Sequence, residues 1–170
     1  MSVAKPPYRA DHVGSFLRPE PVKEARKKFY EDKSISADEL KSVEDAAIID
    51  LIKMQEDVGL PVVTDGETRR AYWHYDFMGM LTGLDMEEKP GAVTFTGTST
   101  LPVSPVINSE LDFPADHPMI EHFKFVAEHT KVMPKISIPG PSCCHFRTAI
   151  DDIKVPAYRE DPQALFAALA

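Results

Sequence analysis

Charged and small polar residues cluster in a few short segments of this chain. Asp65-Gly66-Glu67 follows the apolar run Leu60-Pro61-Val62-Val63-Thr64, and Arg69 and Arg70 come shortly afterwards. Burying two acids at the end of a strand costs free energy unless a partner neutralises them. The arginines are either that partner, in a structural salt bridge, or the ligands of an anionic substrate group. A carboxylate at this position can hold a substrate ammonium or a pterin-like ring through paired hydrogen bonds.

Two other segments have residue types that suit ligand binding. Gly14-Ser15 places backbone N–H groups and a hydroxyl just ahead of a predicted helix, which suits a carboxylate or phosphate, and a plain strand-to-helix turn is the alternative. Aromatic and imidazole rings, including that of Trp73, crowd the segment from Tyr72 to Phe77. Such density favours either stacking on a flat heterocycle or a small hydrophobic cover.

The two cysteines are adjacent and are followed by a histidine, as Cys143-Cys144-His145. Structural zinc sites usually space their cysteines about two to four residues apart, and adjacent residues seldom both point at one tetrahedral ion. Neighbouring cysteines also rarely close a disulfide of acceptable geometry. We therefore expect one buried thiol, one exposed thiol and a histidine that caps or hydrogen-bonds, with no metal ligand among them.

The elements that position these segments are short strands separated by helices. Apolar runs predict strands at about residues 10–13, 61–64 and 135–138, and in α/β folds the functional loops follow the C-terminal ends of such strands. Intervening helices indicate right-handed βαβ units and a parallel sheet. Alternating β-branched residues between 93 and 107 predict a two-stranded hairpin inserted into this scheme.

Helix signals are strongest after Ser36, where Ser36-Ala37-Asp38-Glu39 forms a capping box and apolar residues recur at helical spacing up to Gly59. Arg18-Pro19-Glu20-Pro21 opens an earlier helix, and Asp116-His117-Pro118 opens a later one that ends near residue 130. A short helix or ordered loop is expected within residues 72–81. The last helix begins after Asp161 and is still running at residue 170.

Composition restricts the class of protein. The 170 residues carry 19 Lys+Arg against 27 Asp+Glu, a formal net charge of −8, and 43% of them are hydrophobic. This is the balance of a single globular domain, with no basic surface for nucleic acid and no apolar stretch long enough for a membrane span. The N-terminus lacks the apolar core of a secretory signal, so we expect a cytoplasmic protein.

Taken together, the motifs resemble a known family. Four segments are similar, in this order, to cobalamin-independent methionine synthases, and most to the shorter, single-barrel members. They are Arg9-Ala10-Asp11-His12-Val13-Gly14-Ser15, Gln55-Glu56-Asp57-Val58-Gly59-Leu60, Thr64-Asp65-Gly66-Glu67-Thr68-Arg69-Arg70 and Ile138-Pro139-Gly140-Pro141-Ser142. Glu44-Asp45-Ala46-Ala47-Ile48 and His145-Phe146-Arg147 also fit. The resemblance implies an α/β protein of the (β/α)8 TIM-barrel type, with residues 1–170 as the N-terminal portion of one barrel, about three βα units plus the hairpin, and no second domain.

The resemblance also implies a reaction and its site. The family transfers a methyl group from 5-methyltetrahydrofolate to the zinc-activated thiol of homocysteine. Glu67 matches the family's acidic residue between the homocysteine and folate sites and is the expected catalytic residue. Gly14 and Ser15 match the positions that hold the amino-acid end of homocysteine. The expected substrate-binding residues are Gly14, Ser15, Asp65, Glu67, Arg70 and Trp73.

The family's zinc ligands, a His-x-Cys pair, a glutamate and a distant cysteine, have no match in this sequence. We therefore expect no metal ligand in this chain, family ligands beyond Ala170, and incomplete catalysis by these residues alone. Two alternatives remain: a related thiol alkyltransferase with another thiol or methyl donor, and a non-catalytic split-barrel or truncated binding subunit. Open barrel edges would favour self-association or a complementing chain.

Overall fold

The computed structural model describes residues 12–89, 94–95, 98–99 and 103–170. The helices are α1 (Glu20–Tyr30), α2 (Ala37–Asp57), α3 (Tyr75–Met78), α4 (Pro118–His129), α5 (Ser142–Phe146), α6 (Pro156–Glu160) and α7 (Pro162–Leu169). The strands are β1 (Val62–Val63), β2 (Thr82–Glu88), β3 (Thr94–Phe95), β4 (Thr98–Ser99), β5 (Val103–Asp112) and β6 (Met133–Pro134). Contacts divide the chain into a first unit, Met1–Ala71 with Met119–Ser137, and a second unit, Tyr72–Pro118 with Ile138–Ala170.

Helix α2 is the longest element of the first unit, and its start confirms the predicted capping box. The Ser36 hydroxyl accepts a hydrogen bond from the Glu39 N–H at 3.2 Å, and the Glu39 carboxylate accepts one from the Ser36 N–H at 2.8 Å. The apolar face of α2 packs with β1 and α4 in a core of Ile48, Ile52, Val63 and Val126. This packing fixes β1 against the helix that precedes it.

Strand β1 pairs in parallel with β6, with Val62 opposite Met133 and Val63 opposite Pro134. The strand predicted at 135–138 is wrong in position, because the paired residues lie just before it. The ladder continues with the Lys135 N–H, which donates to the Val63 carbonyl at 2.8 Å. Of the strand predicted at 10–13, residues 12 and 13 are not in a strand, and residues 10 and 11 lie outside the described residues.

The second unit is built on the antiparallel pair β2–β5, which begins earlier than the predicted hairpin. The register shifts between Thr82 and Leu84, so that extra residues of β5 bulge out opposite Gly83. Gly83 has φ +81°, and a Cβ there would lie 2.3 Å from the Glu110 carbonyl oxygen, so only glycine fits. The part of the predicted hairpin at 93, 96–97 and 100–102 lies outside the described residues.

Short helices complete the second unit. The sequence patterns predicted α7 and left a short helix or an ordered loop open where α3 lies; the Asp161 carboxylate caps α7 by accepting a hydrogen bond from the Gln163 N–H at 2.9 Å. They missed α5, α6 and a single 3-10 turn at Ile150–Asp152. Ile153, just after that turn, forms a parallel bridge to Ile107 of β5.

The fold is therefore α/β, as predicted, with one parallel and two antiparallel strand pairs among the described residues. The pairs are small and open, and a closed barrel is not seen in them. Within the described ranges, every helix is too short or too polar to cross a bilayer.

Candidate active site

The candidate site lies in the first unit, on the loop that follows β1. Thr64, Asp65, Glu67 and Thr68 are all buried. The Asp65 side chain accepts a hydrogen bond from the Glu67 N–H at 3.0 Å, and the Asp65 carbonyl accepts one from the Thr68 hydroxyl at 2.8 Å. Asp65 thus folds the loop on itself, and the predicted substrate-binding carboxylate uses one of its oxygens for structure. Its second oxygen, Oδ2, is buried with no hydrogen-bond partner.

Glu67 is the central residue of this loop. Its backbone has φ +54°, a left-handed conformation that is uncommon outside glycine. Its side chain is 5% exposed, with Oε2 accepting a hydrogen bond from the Ser15 hydroxyl at 3.2 Å and Oε1 lying 3.7 Å from Arg70 Nη1. The structure therefore brings Ser15 together with Glu67 and Arg70, two residues that the sequence analysis selected in a different segment.

The Gly14-Ser15 segment lies against the same loop. Gly14 has φ +94°, and the Phe16 N–H donates to the Gly66 carbonyl at 3.0 Å. Ser15 is exposed while the carboxylate it contacts is buried, so the serine marks the side from which solvent reaches Glu67. A ligand arriving from that side meets a hydroxyl first and a carboxylate behind it.

Arg69 and Arg70 have different roles, which resolves the alternative left open by the sequence. Arg69 pairs with Asp45 and, at 3.4 Å, with Glu44, which also binds Arg26 at 3.0 Å. Burial acts to raise the pKa of Asp45, but hydrogen bonds from Lys41 and Arg69 outweigh it, and the pKa is lowered. Arg69 is thus the structural salt bridge.

Arg70 points into the candidate site. Its side chain is 2% exposed, and Nε, Nη1 and Nη2 have no hydrogen-bond partner, with Glu67 as its ion-pair partner at 3.7 Å. A guanidinium has five donor N–H groups in a planar fork that matches a carboxylate. Arg70 therefore offsets the charge of Glu67 and keeps donors available for an anionic group.

Trp73 belongs to the second unit and is 47% exposed. Its ring stacks on His74 at 4.5 Å, and His74 stacks in turn on Tyr75 at 3.9 Å. Burial, and then the positive charge of Arg147, lower the pKa of His74, which Asp76 raises to a lesser extent. The half-exposed indole face is thus open for a flat ligand, while the imidazole is held in its neutral form.

Both cysteines are buried free thiols on α5, so the expectation of one exposed thiol is wrong. Burial, followed by the neighbouring Cys143, raises the pKa of Cys144 to about 11, which disfavours the thiolate that a nucleophile or zinc ligand requires. The adjacent His145 is exposed, and its ring stacks on Phe166 at 4.9 Å. Among the residues that the structure describes, no group of three His, Cys, Asp or Glu side chains is placed to hold a metal ion.

Sequence reasoning missed two residues that support the site. Gln55 is fully buried on α2 and binds both backbone groups of Thr64, with its Nε2 2.9 Å from the carbonyl oxygen and its Oε1 3.0 Å from the amide nitrogen. Arg18, interpreted as the start of a helix, binds backbone carbonyls of the Glu67 loop. A polar residue on the apolar stripe of α2 was the available signal for Gln55, whereas no local pattern marked Arg18.

Comparison with known proteins gives related sequences and folds. The chain is 39% identical over 148 residues to the uncharacterized protein YxjH of Bacillus subtilis (strain 168), and 38% identical over 148 residues to the uncharacterized protein YxjG of the same strain. Each alignment covers 86% of this chain and 39% of the relative, so the chain spans about two-fifths of the length of these relatives.

Two solved structures share the fold. A Listeria monocytogenes protein, provisionally assigned as a vitamin-B12 independent methionine synthase, matches with TM-score 0.77 and 34% identity, over 96% of this chain and 45% of that one. A B12-independent methionine synthase from Shewanella sp. W3-18-1, solved in complex with selenomethionine, matches in fold with TM-score 0.53 and 22% identity, over 79% of this chain and 41% of that one. The family model "Cobalamin-independent synthase, Catalytic domain" matches residues 9–159, and the chain therefore belongs to the cobalamin-independent methionine synthase family.

Proposed function

We propose that this chain supplies the amino-acid-binding part of a methyltransferase of the methionine synthase type. The reaction moves a methyl group from 5-methyltetrahydrofolate to the thiol of homocysteine and gives methionine. The observation that carries the proposal is the contact between the exposed Ser15 hydroxyl and the buried Glu67 carboxylate, at 3.2 Å, in a chain of this family. Residues 1–170 are proposed to form a single domain, the N-terminal part of one (β/α)8 barrel. The protein is proposed to act in the cytoplasm.

The residues around Glu67 suit the zwitterionic end of an amino acid. A carboxylate accepts hydrogen bonds from an ammonium group, and charge-assisted bonds of this kind are the strong ones. Backbone N–H groups of the Gly14-Ser15 segment are donors for the opposite, anionic end, while the Ser15 hydroxyl, whose one hydrogen is donated to Glu67, keeps its lone pairs as acceptors for the ammonium. Arg70 adds a buried positive charge 3.7 Å from Glu67, so the site holds the two opposite charges that such a ligand requires.

The methyl donor is proposed to use the aromatic segment of the second unit. Trp73 presents a half-exposed ring, which suits stacking against a flat heterocycle such as the pterin of a folate.

Zinc does not fit the described residues as a resident ion. They offer no group of three donor side chains, and the Cys144 thiol is disfavoured as a thiolate. We therefore derive no step through a metal from this chain. What its residues do is bind and orient the amino-acid end of the thiol substrate.

The first experiment measures L-homocysteine binding by isothermal titration calorimetry under a reductant. We expect Glu67→Gln and Ser15→Ala to weaken binding, by at least tenfold for Glu67→Gln, because the ammonium loses its charged acceptor. Glu24→Gln, an exposed acid on α1, is the matched control and should leave the affinity unchanged. Equal affinities for the wild-type chain and Glu67→Gln would refute the proposal.

Turnover and acceptor choice form the second experiment. Purified chain is assayed with 5-methyltetrahydrofolate and homocysteine, with cysteine as the competing thiol and the zinc content measured. We expect the chain to bind homocysteine and to form little methionine. Robust turnover by these 170 residues would contradict the proposal that the chain binds the amino acid but does not act alone. Tighter binding of cysteine would favour the related thiol alkyltransferase.

A binding subunit is the second candidate function, and exposed apolar residues favour it. Val13 is 74% exposed and Leu17 is 99% exposed, on either side of Ser15. Contiguous apolar patches rimmed by polar residues are typical of surfaces that another chain covers, and Val13 and Leu17 are proposed to belong to such a patch. Mass measurement in solution tests this candidate: a dimer or larger species supports it, and a monomer at all concentrations contradicts self-association.

A further inference from the structure

The loop that carries Glu67 has an unusual backbone conformation. Gly66 has φ +61° and Glu67 has φ +54°, so two successive residues are left-handed. For a residue with a side chain this conformation is disfavoured, because Cβ comes too close to the following carbonyl oxygen. Such a conformation persists only where surrounding contacts determine it, so something must hold Glu67 in place.

Arg18 makes the contacts that hold this loop from outside. Its Nη2 donates to the Glu67 carbonyl at 3.0 Å and to the Arg70 carbonyl, and its Nε donates to the Thr68 carbonyl at 3.1 Å. One planar group thus bridges three carbonyls of a single turn. Lysine has one nitrogen on a flexible stem and cannot reproduce this fork.

Arg18 also lies on the segment that carries Ser15. That segment meets the loop through the Phe16 N–H to the Gly66 carbonyl, at 3.0 Å, and through the Ser15 hydroxyl to the Glu67 carboxylate. The guanidinium therefore fixes the distance between the two side chains proposed to contact the ligand. Moving Glu67 away from Ser15 would require these carbonyl contacts to break.

We propose that Arg18 is a positioning residue that sets the Glu67 carboxylate against Ser15 for binding of the amino-acid ligand. This inference rests on the proposed function, because it assigns Arg18 to the same site. Arg18 acts through Glu67 and need not touch the ligand. Loss of its fork should release the Glu67 backbone and lower ligand affinity while the rest of the unit stays folded.

The test compares Arg18→Gln and Arg18→Lys with the wild-type chain by calorimetric titration of L-homocysteine. We expect affinity to fall at least tenfold in Arg18→Gln and by a smaller factor in Arg18→Lys. Lys53→Gln is the matched control, since Lys53 is an exposed cation of α2 that pairs with Asp57 at 2.5 Å. It should change the affinity by less than twofold.

A double-mutant comparison separates positioning from a general structural effect. If Arg18 acts through Glu67, Arg18→Gln should have no further effect on affinity in a Glu67→Gln background. Full additivity in the double variant would overturn the inference, as would an unchanged affinity in folded Arg18→Gln. If Arg18→Gln does not fold, Arg18→Lys decides by the same criteria.

Amide hydrogen exchange gives a readout that does not need the ligand. The Arg70 N–H, bonded to the Glu67 carbonyl at 3.0 Å, should exchange faster in Arg18→Gln, while amides in the middle of α2 stay protected. If the wild-type chain does not bind homocysteine, the proposed function fails, and unchanged exchange at Arg70 would then refute the positioning role independently.

Discussion

Gln55 offers the sharpest test of how the first unit positions its site. This side chain of α2 pairs with both backbone groups of Thr64, as a neighbouring strand would, and its Oε1 also accepts a hydrogen bond from His12 Nε2 at 2.7 Å. Gln55 is 0% exposed and Thr64 is 3% exposed, so water cannot replace the lost bonds. We predict that Gln55→Met, which keeps the length and removes the amide, destabilises the chain strongly.

The magnitude follows from the groups left without partners. Two buried backbone groups of Thr64, at about 1–3 kcal/mol each, give a loss of about 2–6 kcal/mol in the free energy of unfolding. Urea unfolding followed by circular dichroism measures it, with Met54→Leu on the exposed side of α2 as the control, expected within about 0.5 kcal/mol of wild type. A loss below 1 kcal/mol for Gln55→Met would refute the reasoning. Should that variant not fold, Gln55→Glu, which keeps an acceptor for the Thr64 N–H, should retain part of the stability.

Three further predictions concern backbone conformation and titration. Gly66→Ala should cost more stability than Gly59→Ala in thermal unfolding, because both have positive φ but a Cβ at Gly66 also lies 2.4 Å from Leu51 Cδ2; equal losses would contradict it. Because the pKa of His74 is lowered from its ordinary value of 6.5, its contribution to the free energy of unfolding is present above that pH and is lost as the pH falls below it. We therefore expect the urea midpoint of His74→Phe to change less between pH 7.5 and 5 than that of the wild-type chain. Cys144 should react with iodoacetamide far more slowly than free cysteine at pH 8, since its pKa is about 11, and rapid labelling in the folded chain would contradict this.

Sequence patterns predicted the elements that are stabilised by contacts between residues close in sequence. The capping box at Ser36 and the apolar stripe after it specify α2, and the apolar run ending in Asp65 specifies β1 and the loop behind it. The Ser15 and Glu67 loops were selected because each was expected to follow the end of a parallel strand. Residues 12 and 13, ahead of Ser15, are not in a strand, so the rule holds for the loop after β1 and not for Ser15. Helix α2, strand β1 and the loop after it were therefore accessible from sequence.

Other features depend on contacts between distant residues and have no local signature. Strand β6 pairs at Met133 and Pro134, just ahead of the predicted strand, and the β2–β5 pair with its bulge opposite Gly83 begins before the predicted hairpin. Arg69 and Arg70 are adjacent and identical in type, so the sequence does not show which one pairs with α2 and which one faces Glu67; the partners in the folded chain decide it. The burial of both cysteines depends on α5, whose short, proline-flanked sequence lacks helical periodicity.

The pairing of Gln55 with Thr64 also has a consequence for the order of folding. These residues are nine apart in sequence, whereas the bond between the Thr130 hydroxyl and the Glu56 carboxylate joins residues 74 apart. Closing a loop of about ten residues takes on the order of 10–100 ns, and the entropic cost of closure grows with loop length. We therefore expect α2 and β1 to form a local hairpin-like nucleus on which β6 docks later, so that a mild variant at Gln55 slows refolding while one at Thr130 chiefly speeds unfolding.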